Sequence, residues 1–452
     1  MNVRLAPILV LSLASSAAAA PPAGYTANVA VSEPTRMDWT FATSNRSLAE
    51  PPAELLGPGY DSTRQSYELF LPTRKDPKQP VGVVMFISAG NDAPGWKSFE
   101  PACKELGLAF IGVKNAGNNM PPARRCHIVL DCLDDLRRQA PLDRDRTYIS
   151  GFSGGGRIAC GIAFALPEQF GGMLPLCAGG DLRTEPWLRH RTIDRLSAAL
   201  VTGPADFNRG EVEKWKAPFW SGLGIRTKVW VQPNLGHAMP SAATLTEALK
   251  WLEGDQPKRA ATAKKFPTTR ASGSPSRTEF AKAVLDEGKT LLADKATLHR
   301  GLMQLKGVLE RWPDTEAGRA ARKILEEYEA KPQKPWEVED VAELRKQLLV
   351  EARALADYAL NGIPAGSPYE KSRPALAAQA AEYWTALVMD APDADYAKEG
   401  KKLLAQLKPL AEKKCSRFVL QILGVDHGHG VGQVRSGLVS LIVVATRRTD
   451  LL

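Results

Sequence analysis

Between residues 66 and 253, short apolar runs alternate with longer segments of helical periodicity, and this alternation leaves few folds open. Ser66 to Pro72, Val81 to Ile87, Leu108 to Val113, Arg146 to Gly151, Gly172 to Cys177, Ala198 to Thr202 and Thr227 to Gln232 read as strands. Val81 to Ile87 and Leu108 to Val113 are largely apolar, as strands buried on both faces require. Helical patterns lie between or after them, at Trp96 to Leu106, Ala123 to Gln139, Gly155 to Leu166 and Ser241 to Leu252. The pattern predicts an α/β domain over residues 61–253, with a mainly parallel sheet and helices on both faces.

A chain of 452 residues is too long for one ordinary domain. From about Thr278 to Lys414 the pattern turns almost purely helical, with Leu302, Leu305, Val308 and Leu309 at helical spacing. Pro313-Asp314 followed by Ile324-Leu325 recurs as Pro392-Asp393 followed by Leu403-Leu404. That echo fits a degenerate, tetratricopeptide-like helical array, and a plain helical bundle fits equally well. Such an array would present a surface to a protein partner. Gly254 to Arg277, poor in apolar residues, reads as a flexible linker.

The ends carry their own signals. Arg4, the apolar stretch Leu5 to Leu13 and the small residues Ser15 to Ala20 read as an export signal (residues 1–20), cleaved near Ala20 to give a periplasmic or secreted protein. Residues 21–60 read as a lead-in without assigned structure. In the tail, 415–452, Gly437 to Ala445 is apolar but too short to span a bilayer. His427 and His429 lack further ligands at fixed spacing, so no metal is expected there. No cofactor motif occurs, neither a P-loop nor a dinucleotide fingerprint. The formal net charge of +9 is spread among interleaved acids and bases, which does not make a nucleic-acid footprint. Five of the six cysteines fall in the first domain, so one of them cannot pair within it. Buried free thiols are expected, and one disulfide is compatible with export.

Gly151-Phe152-Ser153-Gly154-Gly155 has the form G-x-S-x-G and lies between a strand and a helix. A sharp strand-to-helix turn of this kind raises the serine hydroxyl above the sheet edge and points a helix N-terminus at a developing oxyanion. A serine hydroxyl needs a base, and an imidazole needs an acid to hold its tautomer. His237 follows the strand Thr227 to Gln232, and Asp206 follows Ala198 to Thr202, giving the chain order serine, acid, histidine. Asp181 is a rival acid one strand earlier, and Asp194 is a weaker one. The amide of Gly154 is expected to donate to the oxyanion, joined by that of Ala89 or Gly90 after the strand Val81 to Ile87. Trp96, Asn118, Asn119 and Trp215 are candidates to line a pocket.

The segment ending in Leu71-Pro72, the elbow Tyr148-Ile149-Ser150-Gly151-Phe152-Ser153-Gly154-Gly155-Gly156-Arg157 and the late Gly236-His237 resemble secreted esterases of the α/β-hydrolase fold, related to polyhydroxybutyrate depolymerases and feruloyl esterases. The resemblance covers about residues 60–253 and implies hydrolysis of an ester substrate, small or polymeric, through an acyl-enzyme. Those families carry a His-Gly pair where this chain has Ser88-Ala89-Gly90. Serine peptidases share the elbow, and a relic domain beside a binding helical half is the other alternative.

Overall fold

The computed structural model describes residues 21–263 and 273–412, except Asn45, Pro94, Thr184 and Pro335. The expected export signal, residues 264–272 of the expected linker, and the tail with His427 and His429 lie outside the described residues.

Eight strands form one sheet: β1 (Gly24–Ala30), β2 (Ser66–Leu71), β3 (Val81–Ile87), β4 (Leu108–Val113), β5 (Leu142–Phe152), β6 (Gly172–Leu176), β7 (Ser197–Thr202) and β8 (Arg226–Val231). Their spatial order is β1-β2-β4-β3-β5-β6-β7-β8. β1 and β2, and β2 and β4, pair antiparallel, and every pair from β4 through β8 is parallel. With it come α1 (Trp96–Leu106), α2 (Pro122–Gln139), α3 (Gly154–Ala165), α4 (Pro186–Arg195), α5 (Ala217–Leu223) and α6 (Ala242–Gly254). The two faces of the sheet follow from the twofold period of a strand. Val83, Met85 and Ile87 of β3 join a core with α2 and α3, whereas Val84 and Phe86 join one with α1 and α6. Strands loaded on both sides need apolar residues at every position, which is why β3 and β4 were plain in the sequence.

Two expectations need correcting. The lead-in contains β1, an edge strand whose residues alternate between exposed and half-buried, too weak a pattern to stand out. The linker begins as a docked helix, α7 (Gln256–Ala263). Its Arg259 is fully buried and donates to the carbonyl oxygens of Leu252 (3.0 Å) and Asp145 (2.8 Å), so a polar composition hides a structural residue.

The helical half comprises α8 (Arg277–Leu291), α9 (Leu298–Arg311), α10 (Glu316–Glu329), α11 (Trp336–Asp357), α12 (Arg373–Asp390) and α13 (Asp395–Ala411). A reciprocal cap starts α8: Ser276 Oγ accepts from the Glu279 amide, and Glu279 accepts from the Ser276 amide. One apolar cluster holds α8, α9 and α10 together around Trp312, and another holds α11, α12 and α13 around Trp384. The echo in the sequence falls on α9–α10 and α12–α13, where Pro313-Asp314 and Pro392-Asp393 sit in the two turns.

The two halves are packed against each other. Met303 of α9 and Ala354 of α11 belong to the same cluster as Trp187 and Trp220 of the α/β half. Gly307 lies so close to the Trp187 indole that a Cβ would overlap the ring. Arg311, fully buried, donates from Nε to Asp38 Oδ2 (2.9 Å), which also accepts from Trp312 Nε1 (3.0 Å). The Arg311 guanidinium lies over the Phe41 ring at 4.0 Å. Asp38→Ala takes away the carboxylate bonded to that guanidinium, leaving only the charge of Glu168 to offset it, and is expected to cost about 3–5 kcal/mol, read from urea unfolding. Replacing both Asp38 and Arg311 by apolar residues is expected to recover most of the loss.

A second polar knot joins α4, α9 and α11. His190 Nε2 is 3.0 Å from Glu343 Oε2, Arg189 Nη2 donates to the same oxygen at 2.9 Å, and His299 Nε2 is 2.7 Å from Asp340 Oδ1. The hydrogen bond to Asp340 raises the His299 pKa above 6.5 against the opposing effect of burial. Burial pushes Glu343 upward, but His190, Arg189 and His299 together outweigh it and bring the carboxyl from 4.5 down to about 2. The raised histidine stabilises the fold fully below 6.5 and loses that contribution as pH climbs through its folded value. The lowered carboxylate contributes above 4.5 and is lost as pH falls toward 2. The difference in melting temperature between the wild type and His299→Gln is therefore expected to be larger at pH 5.5 than at pH 8.5. Among the described residues, no helix is long and apolar enough to cross a membrane.

Candidate active site

The C-terminal ends of β5, β7 and β8 bring three side chains together. Ser153 caps α3 with φ 53° and ψ −120°, a left-handed conformation that costs a non-glycine residue about 1–3 kcal/mol. Its own amide donates to the Leu176 carbonyl at 2.9 Å, which pins the turn to β6. The turn also requires glycine at 155, because a Cβ there would overlap the carbonyl oxygen of Ile87.

His237 stands over this serine, with Nε2 2.9 Å from Ser153 Oγ and Nδ1 2.8 Å from Asp206 Oδ1. An ionised carboxylate only accepts, so Nδ1 carries the proton and Nε2 is left to accept from the serine hydroxyl. Asp206 is buried and accepts twice more, from Thr202 Oγ1 at 2.7 Å and from the Asn208 amide at 3.0 Å. These bonds fix its carboxylate plane. A parallel bridge between Ala205 and Gly236 ties the loop of the acid to the loop of the histidine. The rival acids are engaged elsewhere: Asp181 pairs with Lys216 at 2.5 Å and Asp194 pairs with Arg300.

The loop after β3 behaves differently from the sequence expectation at one residue. The Gly90 amide donates to Ser88 Oγ at 3.1 Å, so it turns inward. The Ala89 amide has no acceptor among the described residues, and the amide of Gly154 opens α3. The Ala89 carbonyl accepts from the Asn118 amide at 2.8 Å, which joins this loop to the one after β4. The Asn118 carboxamide lies beside Gly154, and Asn119 is exposed. Trp96 instead packs on Phe70 and Tyr25, and Trp215 stacks on Tyr358, so neither adjoins Ser153.

The sequence reading missed three neighbours of His237. Phe207 lies tilted over the imidazole with ring centroids 3.9 Å apart, and Phe152 is 5.0 Å away on another side. Cys177, at the end of β6, is held with φ 51° and points its Sγ at the carbonyl oxygens of Ala238 (3.5 Å) and Gly236 (3.7 Å). Burial, reinforced by the Asp206 charge, pushes its thiol up to about 12, so it remains a neutral donor that braces the histidine loop. The signal available was position, since Phe207 adjoins the acid and Cys177 ends a strand between those of the serine and the acid.

Metal-ligating groups cluster twice, as Cys177, Asp206 and His237, and as His190, His299 and Glu343. In the first, the Asp206 carboxylate accepts three hydrogen bonds and the Cys177 thiol points at two carbonyl oxygens; in the second, Arg189 donates to Glu343 Oε2. Cys103, Cys126, Cys132, Cys160 and Cys177 are all buried free thiols.

The strand order, the crossover helices and the strained serine between β5 and α3 define an α/β-hydrolase fold, followed here by a helical region. No family model and no curated protein matches the chain. Among solved structures it is similar to the S-formylglutathione hydrolase of Staphylococcus aureus, at 15% identity and a TM-score of 0.35 over 44% of this chain and 95% of that one. It is similar to the fluorophosphonate-binding serine hydrolase F of the same organism, at 15% identity and a TM-score of 0.33 over 42% and 92% of the two chains. It is also similar to Est1E from Butyrivibrio proteoclasticus, at 14% identity and a TM-score of 0.32 over 42% and 94%.

Proposed function

We propose that this chain is an exported serine hydrolase that cleaves carboxylic esters through an acyl-enzyme, with Ser153 as nucleophile, His237 as base and Asp206 as the acid that orients it. The observation that carries this reading is the unbroken row from Ser153 Oγ through both ring nitrogens of His237 to a buried carboxylate. A relic would have no physical need to keep a strained serine in register with an imidazole.

In the proposed reaction, Ser153 Oγ attacks the ester carbonyl carbon as its proton passes to His237 Nε2. The amides of Gly154 and Ala89 receive the negative oxygen. The C–O bond to the alcohol breaks, and the imidazolium gives its proton to the departing oxygen. Water then attacks the acyl-enzyme with His237 again taking the proton, and the carboxylic acid leaves while the serine hydroxyl is restored. Asp206 stabilises the imidazolium in both halves. No step calls for a cofactor. The amino-terminal pattern of a charged start, an apolar run and small residues supports export.

The test is incubation of the folded protein with a fluorophosphonate, followed by peptide mapping, alongside turnover of p-nitrophenyl esters and of matched peptide amides. An adduct on Ser153 with turnover of esters well above that of amides is expected. A folded chain that takes up no label would overturn the proposal.

A further inference from the structure

The helical half reaches the rim of the candidate active site. Tyr369, in the segment between α11 and α12, faces Phe207 with ring centroids 6.3 Å apart, and Phe207 lies over His237. The Tyr369 hydroxyl is 3.4 Å from Arg157 Nη2. Arg157, on the first turn of α3, holds Glu211 with two bonds of 2.5 and 2.7 Å. Tyr369 thus touches both the helix that starts at the serine and the loop that carries the acid.

The segment is held in place there. The main chain of Gly362 runs against Gly210, four residues after Asp206, so closely that a Cβ on Gly210 would overlap the Gly362 carbonyl oxygen. Trp215 stacks on Tyr358 at 5.4 Å just beneath. Phe207 is 37% exposed, a large apolar ring left open beside the reacting groups and bounded by Tyr369.

His237 Nε2 must hand its proton to the oxygen of the departing alcohol. The group attached to that oxygen therefore leaves on the imidazole side, where Phe207 and Tyr369 stand. We infer that Phe207 and Tyr369 form an aromatic subsite for the alcohol part of the ester, so that the helical half supplies a specificity-determining residue and the enzyme favours esters of bulky apolar or aromatic alcohols. This inference rests on the proposed ester hydrolysis. Two flat rings offer stacking worth about 0.5–1.5 kcal/mol to an aromatic group and nothing comparable to a short alkyl chain, which is about a 2- to 12-fold preference.

The experiment compares benzyl acetate with ethyl acetate, which share an acyl group, in the full chain and in Tyr369→Ala and Tyr369→Phe. The wild type is expected to prefer benzyl acetate in kcat/KM. Tyr369→Ala is expected to lower that preference about 2- to 12-fold, mainly by raising KM for the benzyl ester, while Tyr369→Phe retains it. A purely structural loss would lower both acetates alike and leave the ratio unchanged. A wild type without the preference, or a Tyr369→Ala ratio equal to the wild-type ratio, overturns the subsite while leaving the hydrolase intact. A folded wild type that cleaves neither acetate nor any p-nitrophenyl ester overturns the hydrolase reading and the subsite with it.

Discussion

Ser153→Ala is expected to lose about 10⁴- to 10⁶-fold in ester kcat and all fluorophosphonate labelling, with its fold intact. On the proposed mechanism the hydroxyl is the atom that bonds to the substrate, and it is the group hydrogen-bonded to the imidazole Nε2, whereas the neighbouring Cys177 thiol is turned toward the carbonyl oxygens of Gly236 and Ala238. The substitution removes one oxygen from a site that is already strained at φ 53°, and alanine keeps the same backbone. Circular dichroism and the melting temperature are therefore expected to match the wild type or to rise slightly, because active-site strain and stability often trade against each other. A variant that loses activity only tenfold would mean that another group attacks the ester.

Asp206→Asn is expected to reduce kcat by about 10³- to 10⁴-fold with KM little changed. The carboxylate accepts from Thr202, from the Asn208 amide and from the imidazole. If the new amide turns its NH₂ toward His237, the ring must accept at Nδ1 and carry its proton on Nε2, where it can no longer take the proton of Ser153. If the amide turns its oxygen instead, the tautomer survives but the charge that stabilises the imidazolium is gone. Steady-state kinetics on a p-nitrophenyl ester reads this loss. An unchanged kcat would show that the carboxylate is structural only.

The proximity of the three candidate residues was legible because each follows an apolar run in a fixed chain order, and strand ends on one side of a parallel sheet converge. What lay between them was less legible. Gly90 looked as suitable as Ala89 because its inward hydrogen bond to the Ser88 hydroxyl leaves no trace in composition. Cys177 reads as one more apolar strand residue, and only its φ of 51° and its two carbonyl neighbours show it to be a brace. Tyr369 lies far along the chain in a polar loop, so nothing local marks it as a neighbour of Phe207. Arg259 and Arg311 were missed for a related reason: in a polar linker or a helical pattern an arginine reads as solvent-facing, and it takes the three-dimensional structure to supply the buried carbonyls that accept from Arg259 and the carboxylate that pairs with Arg311. The helical half was therefore recognised as helical but read as a separate module on a tether.

The close fit between the two halves sets a limit on how the chain can be shortened. Cutting the chain after α7 would lay bare the indoles of Trp187 and Trp220, leave Asp38 without the Arg311 cation and remove the Tyr369 ring that faces Phe207. The freed surface would be sticky and the loop that carries Asp206 less well supported, so a fragment holding only the α/β half is not a smaller version of this protein.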